Sequence, residues 1–298
     1  MVSRAGLRAF ALFVLPAFFG PLNPGFVAAG AAGLMSVPGD EHWWGGFGDE
    51  TQLGLNGFVF AMAEHDSSLF VGGNFIRSPG WLIQSWKERE WSVPAGGYLQ
   101  RGACQGIRDC GTMVNAITEY HGDLIAAGRF YYTGFLGSLR SANNVARWDG
   151  VEWRPLGSGA RLASSYDGYI VSMTVYHDEL IVSGPFDMAG GQPVNAIAAW
   201  NGSNWHPLGS GFDDHWWATS MLVYQDTLIV AGNSTRAGGV SVPHIAKWDG
   251  TSWSALGTQD VRGPVWVHEG SLVANVEFRG DVFSPMVCHW TGSAWQPL

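Results

Sequence analysis

Short apolar runs separated by polar turns recur along the chain, and a leucine marks the same point in five of them. Glycine follows that leucine after four residues in four units, and phenylalanine follows it after six residues in four units. Apolar runs of this length, bounded by turn residues, predict β-strands. A tight polar turn such as Tyr120-His-Gly-Asp-Leu124 precedes each leucine, so every unit begins with a predicted hairpin. The leucines are Leu69, Leu124, Leu180, Leu228 and Leu272, and the glycines are Gly73, Gly128, Gly184 and Gly232, with Val276 in the fifth unit.

A pair of tryptophans with the spacing Trp-x4-Trp closes each unit, and these pairs account for ten of the 16 tryptophans. Asp-Gly or Asn-Gly follows the first tryptophan in the three middle units, which predicts a hairpin turn because such residues supply positive φ. Proline in the strand after the second tryptophan favours an edge strand, which need not donate every backbone hydrogen bond. The pairs are Trp86/Trp91, Trp148/Trp153, Trp200/Trp205, Trp248/Trp253 and Trp290/Trp295.

Four predicted strands per unit, repeated along one chain, are typical of a β-propeller. We therefore predict an all-β fold, a β-propeller of four-stranded antiparallel blades with five recognisable repeats plus an N-terminal extra strand. The repeated aromatics are expected to pack between neighbouring blades, because regular periodicity indicates a core. The repeats span roughly 55–97, 111–160, 167–212, 216–259 and 262–298, within one domain of residues 32–298.

The extra strand is predicted at Trp44-Gly-Gly-Phe-Gly48, which matches the pattern Trp-x2-Leu-Gly of the fourth strands. The last unit already has a fourth strand of its own. The sequence therefore leaves three arrangements open: a five-bladed ring with an N-terminal addition, a ring of six positions, and a fragment of a longer array.

The first thirty residues differ in composition from the rest. Arg4 and Arg8 precede the apolar stretch 9–19, and small residues follow at 27–31. This order predicts a secretory signal peptide over residues 1–31 and a secreted, periplasmic or cell-surface product, with an uncleaved anchor as the alternative. The net charge of −9 becomes more negative without the two arginines, which argues against nucleic acid as a partner. The mature form is expected to have no membrane span.

The chain has three cysteines. In an exported protein, Cys104 and Cys110 are expected to form a disulfide across a short loop, since no further metal ligands stand nearby. Cys288, on a predicted strand, is expected to be a buried free thiol.

Two segments of the third unit carry a family resemblance. The stretch Ile181-Val-Ser-Gly-Pro-Phe-Asp-Met-Ala-Gly-Gly191 and the stretch Ile197-Ala-Ala-Trp-Asn-Gly-Ser-Asn-Trp-His-Pro-Leu-Gly-Ser-Gly211 resemble a secreted bacterial propeller repeat. That family is distantly similar to kelch and galactose-oxidase-type blades and to repeats of fungal cortical-marker proteins. The resemblance covers roughly residues 55–298 and implies an extracellular propeller. The first and last units depart from the pattern, as terminal repeats often do.

Loop lengths vary on one predicted face, where the connections between strands two and three and between units lie, and binding sites commonly occupy such loops. These loops also contain aromatics that the repeat does not explain, beside carboxylates that can accept hydrogen bonds from sugar hydroxyls. We interpret the protein as a binding module for a glycan or a protein through this face. The candidate ligand-binding residues are Trp81, Tyr131, Tyr132, Phe135, Asp213, Asp214, His215, Trp216 and Trp217.

Two other functions stay open. An extracellular carbohydrate-active enzyme would bring together carboxylates from Asp40, Glu41, Asp213 and Asp214. A structural module of a longer surface protein would need no site. No catalytic motif, metal site or cofactor is predicted, and the copper ligands of galactose-oxidase chemistry have no counterparts in the sequence.

Overall fold

The computed structural model describes residues 57–75, 82–87, 90–94, 98–100, 111–134, 137–164, 168–213, 216–277 and 286–298, and every element in them is a strand. The first unit contains β1 (Gly57–His65), β2 (Ser68–Phe75), β3 (Ile83–Lys87) and β4 (Glu90–Ser92). The second contains β5 (Tyr98–Gln100), β6 (Met113–Tyr120), β7 (Asp123–Arg129), β8 (Tyr132–Gly134), β9 (Arg140–Ser141), β10 (Val145–Trp148) and β11 (Trp153–Pro155). The third contains β12 (Ala160–Arg161), β13 (Ser172–Tyr176), β14 (Glu179–Ser183), β15 (Met188–Ala189), β16 (Gln192–Pro193), β17 (Ile197–Trp200) and β18 (Trp205–Pro207). The fourth contains β19 (Ala218–Tyr224), β20 (Thr227–Gly232), β21 (Arg236–Ala237), β22 (Val240–Ser241), β23 (Ile245–Trp248) and β24 (Trp253–Ala255), and the fifth contains β25 (Asp260–His268), β26 (Ser271–Glu277), β27 (Met286–Trp290) and β28 (Trp295–Pro297).

Each unit forms one four-stranded antiparallel sheet in simple up-and-down order, as predicted. The five sheets are β1-β2-β3-β4, β6-β7-β10-β11, β13-β14-β17-β18, β19-β20-β23-β24 and β25-β26-β27-β28. The prolines Pro155, Pro207 and Pro297 lie on the outermost strands, where a missing N–H is tolerated. The expected all-β fold of four-stranded sheets is therefore confirmed for the described residues.

The tryptophan pairs bracket the turn between the third and fourth strands, as their spacing predicts. The two tryptophans stand directly opposite each other in every sheet, for example Trp148 opposite Trp153. Their ring centroids are 5.1 to 5.6 Å apart, a contact distance for tilted aromatic rings. The pairs are packing elements of the scaffold.

The hydrophobic core lies between successive sheets. Four clusters of buried side chains each combine residues of two neighbouring sheets, such as Ile125 and Val145 of the second sheet with Leu180 and Trp205 of the third. The first strands of successive sheets pack side by side in the order β1, β6, β13, β19 and β25. The five sheets thus form one continuous array in which the first strands of successive sheets are neighbours.

The turn between the two tryptophans works differently from the prediction. Only its glycine has positive φ, for example 90° at Gly150, and the preceding residue serves as an acceptor. Asp149 Oδ1 accepts hydrogen bonds from the N–H groups of Val151 (3.1 Å) and Glu152 (2.9 Å), and Asn201 does the same in the third sheet. The bond from the Glu152 N–H is the main cause that lowers the pKa of Asp149 to about 2.

Replacing Asp149 with Asn should weaken the dependence of stability on acid pH. A carboxyl whose pKa is lowered by folding stabilises the native state above its unfolded pKa of about 3.9, and this contribution disappears as the pH falls through about 2. Asn keeps the acceptor oxygen but lacks the charge, so the variant should be less stable than wild type at pH 7 and lose less stability between about pH 4 and pH 2. Urea unfolding at a series of pH values measures this. Asn201→Asp should show the opposite change, and equal slopes for Asp149→Asn and wild type would contradict the prediction.

The glycine that stands four residues after the leucine in four units has a steric cause. The backbone at these glycines is not in the positive-φ region. A Cβ on Gly73, Gly128, Gly184 or Gly232 would lie 1.8 to 2.3 Å from the carbonyl oxygen of a residue at or within three residues of the start of the first strand. In three of these sheets the register shifts next to that contact, which indicates a β-bulge. The fifth sheet has a longer irregularity, between Val261 and Val265, and it accommodates Val276 opposite Val261.

Part of the variable loop face is regular. The connection between the second and third strands forms a small hairpin in three units, as β8-β9, β15-β16 and β21-β22. A segment from the connection between units pairs with each hairpin: β5, β12 and the single residue Phe212. The loops therefore differ in length, but in each of these three units they form the same kind of small additional pairing.

Several sequence predictions concern residues outside the described ranges. The signal peptide over residues 1–31, the extra strand at Trp44–Gly48 and the Cys104–Cys110 disulfide belong to this group. Cys288 is described: it is buried and free, as predicted, and burial raises the pKa of its thiol.

Candidate functional site

A row of residues lies at or within three residues of the start of the first strands, on the loop face. Phe58, Met113, Tyr169 and Trp217 occupy equivalent positions, because each presents its carbonyl oxygen to the second-strand glycine of its own sheet. Phe58 is 65% exposed, and the other three are partly buried. Three of these four side chains are aromatic, so the inner edge of the loop face is aromatic across several sheets.

The third and fourth sheets bring the aromatic side chains of this row into contact. Tyr169 meets Trp217 edge to face, with ring centroids 6.4 Å apart and planes at 65°. Trp217 meets Trp216 at 5.6 Å. The Arg129 guanidinium carbon lies 5.9 Å from the Tyr169 ring centroid, within cation–π range. We call Arg129, Tyr169, Trp217 and Trp216 the aromatic row.

Trp216 and Trp217 are not equivalent within the aromatic row. Trp217 packs on the cluster between the third and fourth sheets, whereas Trp216 is 45% exposed. Among the described tryptophans, Trp216 is the most exposed. The aromatic row therefore has a ring packed against the core, Trp217, and an exposed ring, Trp216.

Hydrogen bonds between sheets fix the backbone beside Tyr169 and beside Trp217. Ile170, next to Tyr169, accepts from Asn115 Nδ2 (2.7 Å) and donates its N–H to the Gly128 carbonyl (2.9 Å). Ala218, next to Trp217, accepts from Ser172 Oγ (2.7 Å) and donates to Ser183 Oγ (2.9 Å). Because these bonds are buried or partly buried, the ring positions are set by the scaffold.

Asp213 has a structural role. Its carboxylate accepts hydrogen bonds from the Gly239 N–H (3.0 Å) and from Arg236 Nε (3.4 Å), and its own N–H donates to the Arg236 carbonyl. These contacts fasten the β21-β22 hairpin to the connection that leads to the fourth sheet. The carboxylate is thereby engaged with the protein backbone and an arginine.

The remaining candidates are placed as follows. Tyr131 is 6% exposed, so its ring is a packing element with little surface for a ligand. Its backbone carbonyl accepts a hydrogen bond from the Ala142 N–H (2.6 Å). Tyr132 is partly buried on β8. Trp81, Phe135, Asp214 and His215 lie outside the described residues, as do Asp40 and Glu41. Sequence reasoning missed Tyr169, Arg129 and Phe58. Phe58 and Tyr169 lie eight residues ahead of the turn residues Asp66 and His177, a spacing that could have identified them, whereas Arg129 ends β7 and carries no such signal.

Two cavities bear on the two faces of the array. One, of about 10 Å³, lies below Trp217 between Phe212, Ser234 and His244, and has room for about one water molecule. The other is a half-open groove of about 400 Å³ on the opposite face, lined by Tyr120, His121, Arg147 and Trp200 among others.

The polar groups of the opposite groove already bind one another. The Tyr120 hydroxyl lies 3.0 Å from the Asp178 carbonyl oxygen, and His121 Nε2 lies 2.8 Å from Asp178 Oδ1. Burial is the main cause that raises the pKa of Tyr120. The same arrangement recurs between Tyr176, His177 and Asp226 at the next interface. Its repetition indicates a structural bridge between sheets.

In the ranges that the structure describes, no three His, Cys, Asp or Glu side chains gather closely enough to hold a metal ion. Those same ranges contain no helix of the length and apolarity that crossing a membrane requires.

Comparisons with known proteins give no family. No protein-family model matches the chain, and no curated protein matches it. Among solved structures, the extracellular domain of a hybrid two-component system from B. thetaiotaomicron is 8% identical, with a TM-score of 0.47, over 77% of this chain and 27% of that one. The computationally designed Ika8 protein is 11% identical, with a TM-score of 0.36, over 80% of this chain and 74% of that one. The chain thus spans just over a quarter of the first structure, and at these scores neither protein's properties transfer to it.

Proposed function

We propose that the protein is a secreted or cell-surface binding module that holds a carbohydrate on the aromatic row of its loop face. Sugar rings present apolar C–H faces that pack on aromatic rings, while their hydroxyls hydrogen-bond to nearby polar groups. The observation that carries the proposal is the half-exposed Trp216 ring, supported by Trp217 and Tyr169 on a hydrogen-bonded scaffold.

The composition of the row supports this class of ligand. Arg129 adds a cation beside the Tyr169 ring, in a chain whose overall charge is −9. A guanidinium can donate several hydrogen bonds to sugar hydroxyls or to an acidic sugar. The row thus combines stacking surfaces with a donor group, and its rings are held in place before a ligand arrives, which lowers the entropic cost of binding.

The finer architecture belongs to the same proposal. The first strands pack in succession along one side of the array, which favours a β-propeller of five blades with an N-terminal extra strand. In that arrangement the aromatic row would border the central opening at the loop face. The basic, apolar and small-residue order of residues 1–31 favours export of such a module.

Replacing Trp216 with Ala should weaken carbohydrate binding at least about fivefold. Loss of one stacking ring removes about 1 to 2 kcal/mol of binding free energy, which corresponds to roughly 5- to 30-fold in Kd. A glycan array with the full chain identifies the ligand, and titration monitored by tryptophan fluorescence gives its Kd. Val151→Ala, at a 72% exposed residue of a turn on the opposite face, is the matched control and should leave Kd unchanged. An array without signal, or equal Kd values for both variants, would overturn the proposal.

A further inference from the structure

A buried phenylalanine ring changes its place in the sequence between two successive interfaces of the array. In the second and third sheets, the position six residues after the leucine is Phe130 or Phe186, which is 0% or 3% exposed. In the fourth sheet that position is Ser234. The connection that leads to the fourth sheet carries Phe212, 2% exposed, where the connection that leads to the third sheet carries Ala160. The pair Ala160 and Phe186 is thus exchanged for Phe212 and Ser234, and the large side chain moves from one segment to the other.

Backbone pairing shows that the exchanged positions are equivalent in the two units. Ala160 and Phe212 both follow a Leu-Gly-Ser-Gly segment. Ala160 stands opposite Ala189 in antiparallel pairing, and Phe212 stands opposite Ala237 in the same way. The other exchanged position lies three residues before that alanine in both units. The units therefore share the backbone arrangement and differ in which segment carries the ring.

The ring of Phe212 lies next to the buried end of the aromatic row. Phe212, Ser234 and Trp217 border the same void, whose volume is about 10 Å³. Trp217 packs on the buried cluster that contains Phe212. The Phe212 ring centroid is also 5.6 Å from that of Trp253, which is 6% exposed. Phe212 therefore connects the core between the third and fourth sheets to the base of the aromatic row.

The short side chain of Ser234 leaves the room that Phe212 occupies. The void beside it holds about one water molecule, so a phenyl ring at this position would need a neighbouring side chain to move. The Ser234 hydroxyl is satisfied by local backbone: its Oγ donates to the Arg236 carbonyl (2.7 Å) and accepts from the Arg236 N–H (3.3 Å). Serine thus combines a small volume with a hydrogen-bonded hydroxyl.

We propose that Phe212 and Ser234 are positioning residues of the carbohydrate site. Ser234 makes room for Phe212, and Phe212 holds Trp217, the ring that contacts the exposed Trp216. The departure from the repeat therefore falls in the sheet that carries the exposed ring. For its ligand this inference rests on the proposed function, but its consequences for packing and for the positions of the two tryptophans need no ligand.

The first experiment compares the stability of four variants of the full chain. Phe212→Ala should lower Tm by roughly 10 °C and Ser234→Phe by roughly 5 °C, through an empty space and through overpacking. The double variant Phe212→Ala/Ser234→Phe re-creates the arrangement of the third sheet and should have a higher Tm than Phe212→Ala. Ser234→Ala removes the hydroxyl alone and should lower Tm less than Ser234→Phe does. A double variant whose losses simply add, or exceed the sum, overturns the exchange.

The second experiment asks whether Phe212 sets the positions of the two tryptophan rings. Fluorine NMR of protein labelled with fluorotryptophan, assigned with Trp216→Phe and Trp217→Phe, reports on each ring. Both resonances should move in Phe212→Ala and in the double variant, whereas the Trp205 resonance and the spectrum of Ser234→Ala should stay unchanged. Should Ser234→Phe fail to fold, Phe212→Leu, which keeps an apolar side chain, should still move the same two resonances.

Glycan affinity completes the test. The double variant should bind about threefold or more weakly than wild type although its stability is restored, because Trp217 has lost its support. Unmoved Trp216 and Trp217 resonances and an unchanged Kd in a stable double variant would restrict the exchange to packing and overturn the inference. A glycan array without signal removes the proposed function, whereas the NMR resonances still decide whether Phe212 positions the rings.

Discussion

Gly128→Ala should lower the free energy of unfolding by about 3 kcal/mol, the high end of the range for overpacking a tightly packed site. The added methyl carbon would lie 2.1 Å from the Met113 carbonyl oxygen and 2.8 Å from the Val114 Cα. Neither backbone atom can move without breaking the pairing of β6 with β7. The effect should appear as a drop of roughly 10 °C in Tm, given the size of the domain, and as a matching shift in the urea midpoint.

The control for this variant is Gly122→Asp, six residues away in the same hairpin. Gly122 has φ of 80° and nothing within 4 Å of an added Cβ, and the equivalent turn positions are Asp178 and Asp226, which also have positive φ. We expect Gly122→Asp to change stability by less than about 1 kcal/mol. Equal losses for the two variants would show that the contact with the Met113 carbonyl is not what excludes a side chain at Gly128.

Trp205→Phe should destabilise the protein by about 3 kcal/mol. The change removes the indole N–H that the buried Leu156 carbonyl accepts, which costs about 1 to 3 kcal/mol, and it leaves part of the indole volume empty. Trp205 is 2% exposed, so water cannot readily replace the lost donor. Urea unfolding, with the slope of the transition checked against wild type, measures the loss.

Trp253 and Trp295 donate equivalent indole hydrogen bonds to leucine carbonyls and provide an internal series. The bond lengthens from 2.9 Å at Trp205 to 3.1 Å at Trp253 and 3.3 Å at Trp295, so the cost of each Trp→Phe change should fall in that order. A loss below about 1 kcal/mol at Trp205, or the reverse order, would mean that the indole hydrogen bond contributes little beyond ring packing.

Much of the scaffold could be predicted because its signals are local. The Trp-x4-Trp spacing places two tryptophans opposite each other across a four-residue connection, and Trp148 and Trp153 are paired as the spacing requires. The prolines indicated the edge strand, because a missing N–H matters only where a partner strand is present. Strand order follows from short connections, since consecutive strands joined by tight turns pair with each other.

Other features depend on atoms that are distant in sequence, and these could not be predicted. The glycine four residues after the leucine was visible in four units, but its cause is a carbonyl oxygen near the start of the first strand, as at Gly184 and Tyr169. Tyr169 and Arg129 were missed for the same reason: they meet across two sheets, and neither belongs to an unusual local string. Conversely, the Asp-Asp-His string drew attention to Asp213, whose carboxylate proves to fasten a hairpin.

The segment that completes a tryptophan pair lies before the sheet that contains the pair, so a sheet and its contacts are encoded in an overlapping order. In the third, fourth and fifth sheets the strands pair within the sheet, yet the tryptophan pair is completed by a leucine and a glycine that precede the sheet in the chain. Leu156-Gly-Ser-Gly159 and Leu208-Gly-Ser-Gly211 are identical in sequence. Recombination of a gene at these two tetrapeptides removes the whole third sheet and still places a Leu-Gly segment directly before the sheet that contains Trp248 and Trp253. The reciprocal product would carry the third sheet twice, so the array can lengthen or shorten by one whole sheet without losing this contact.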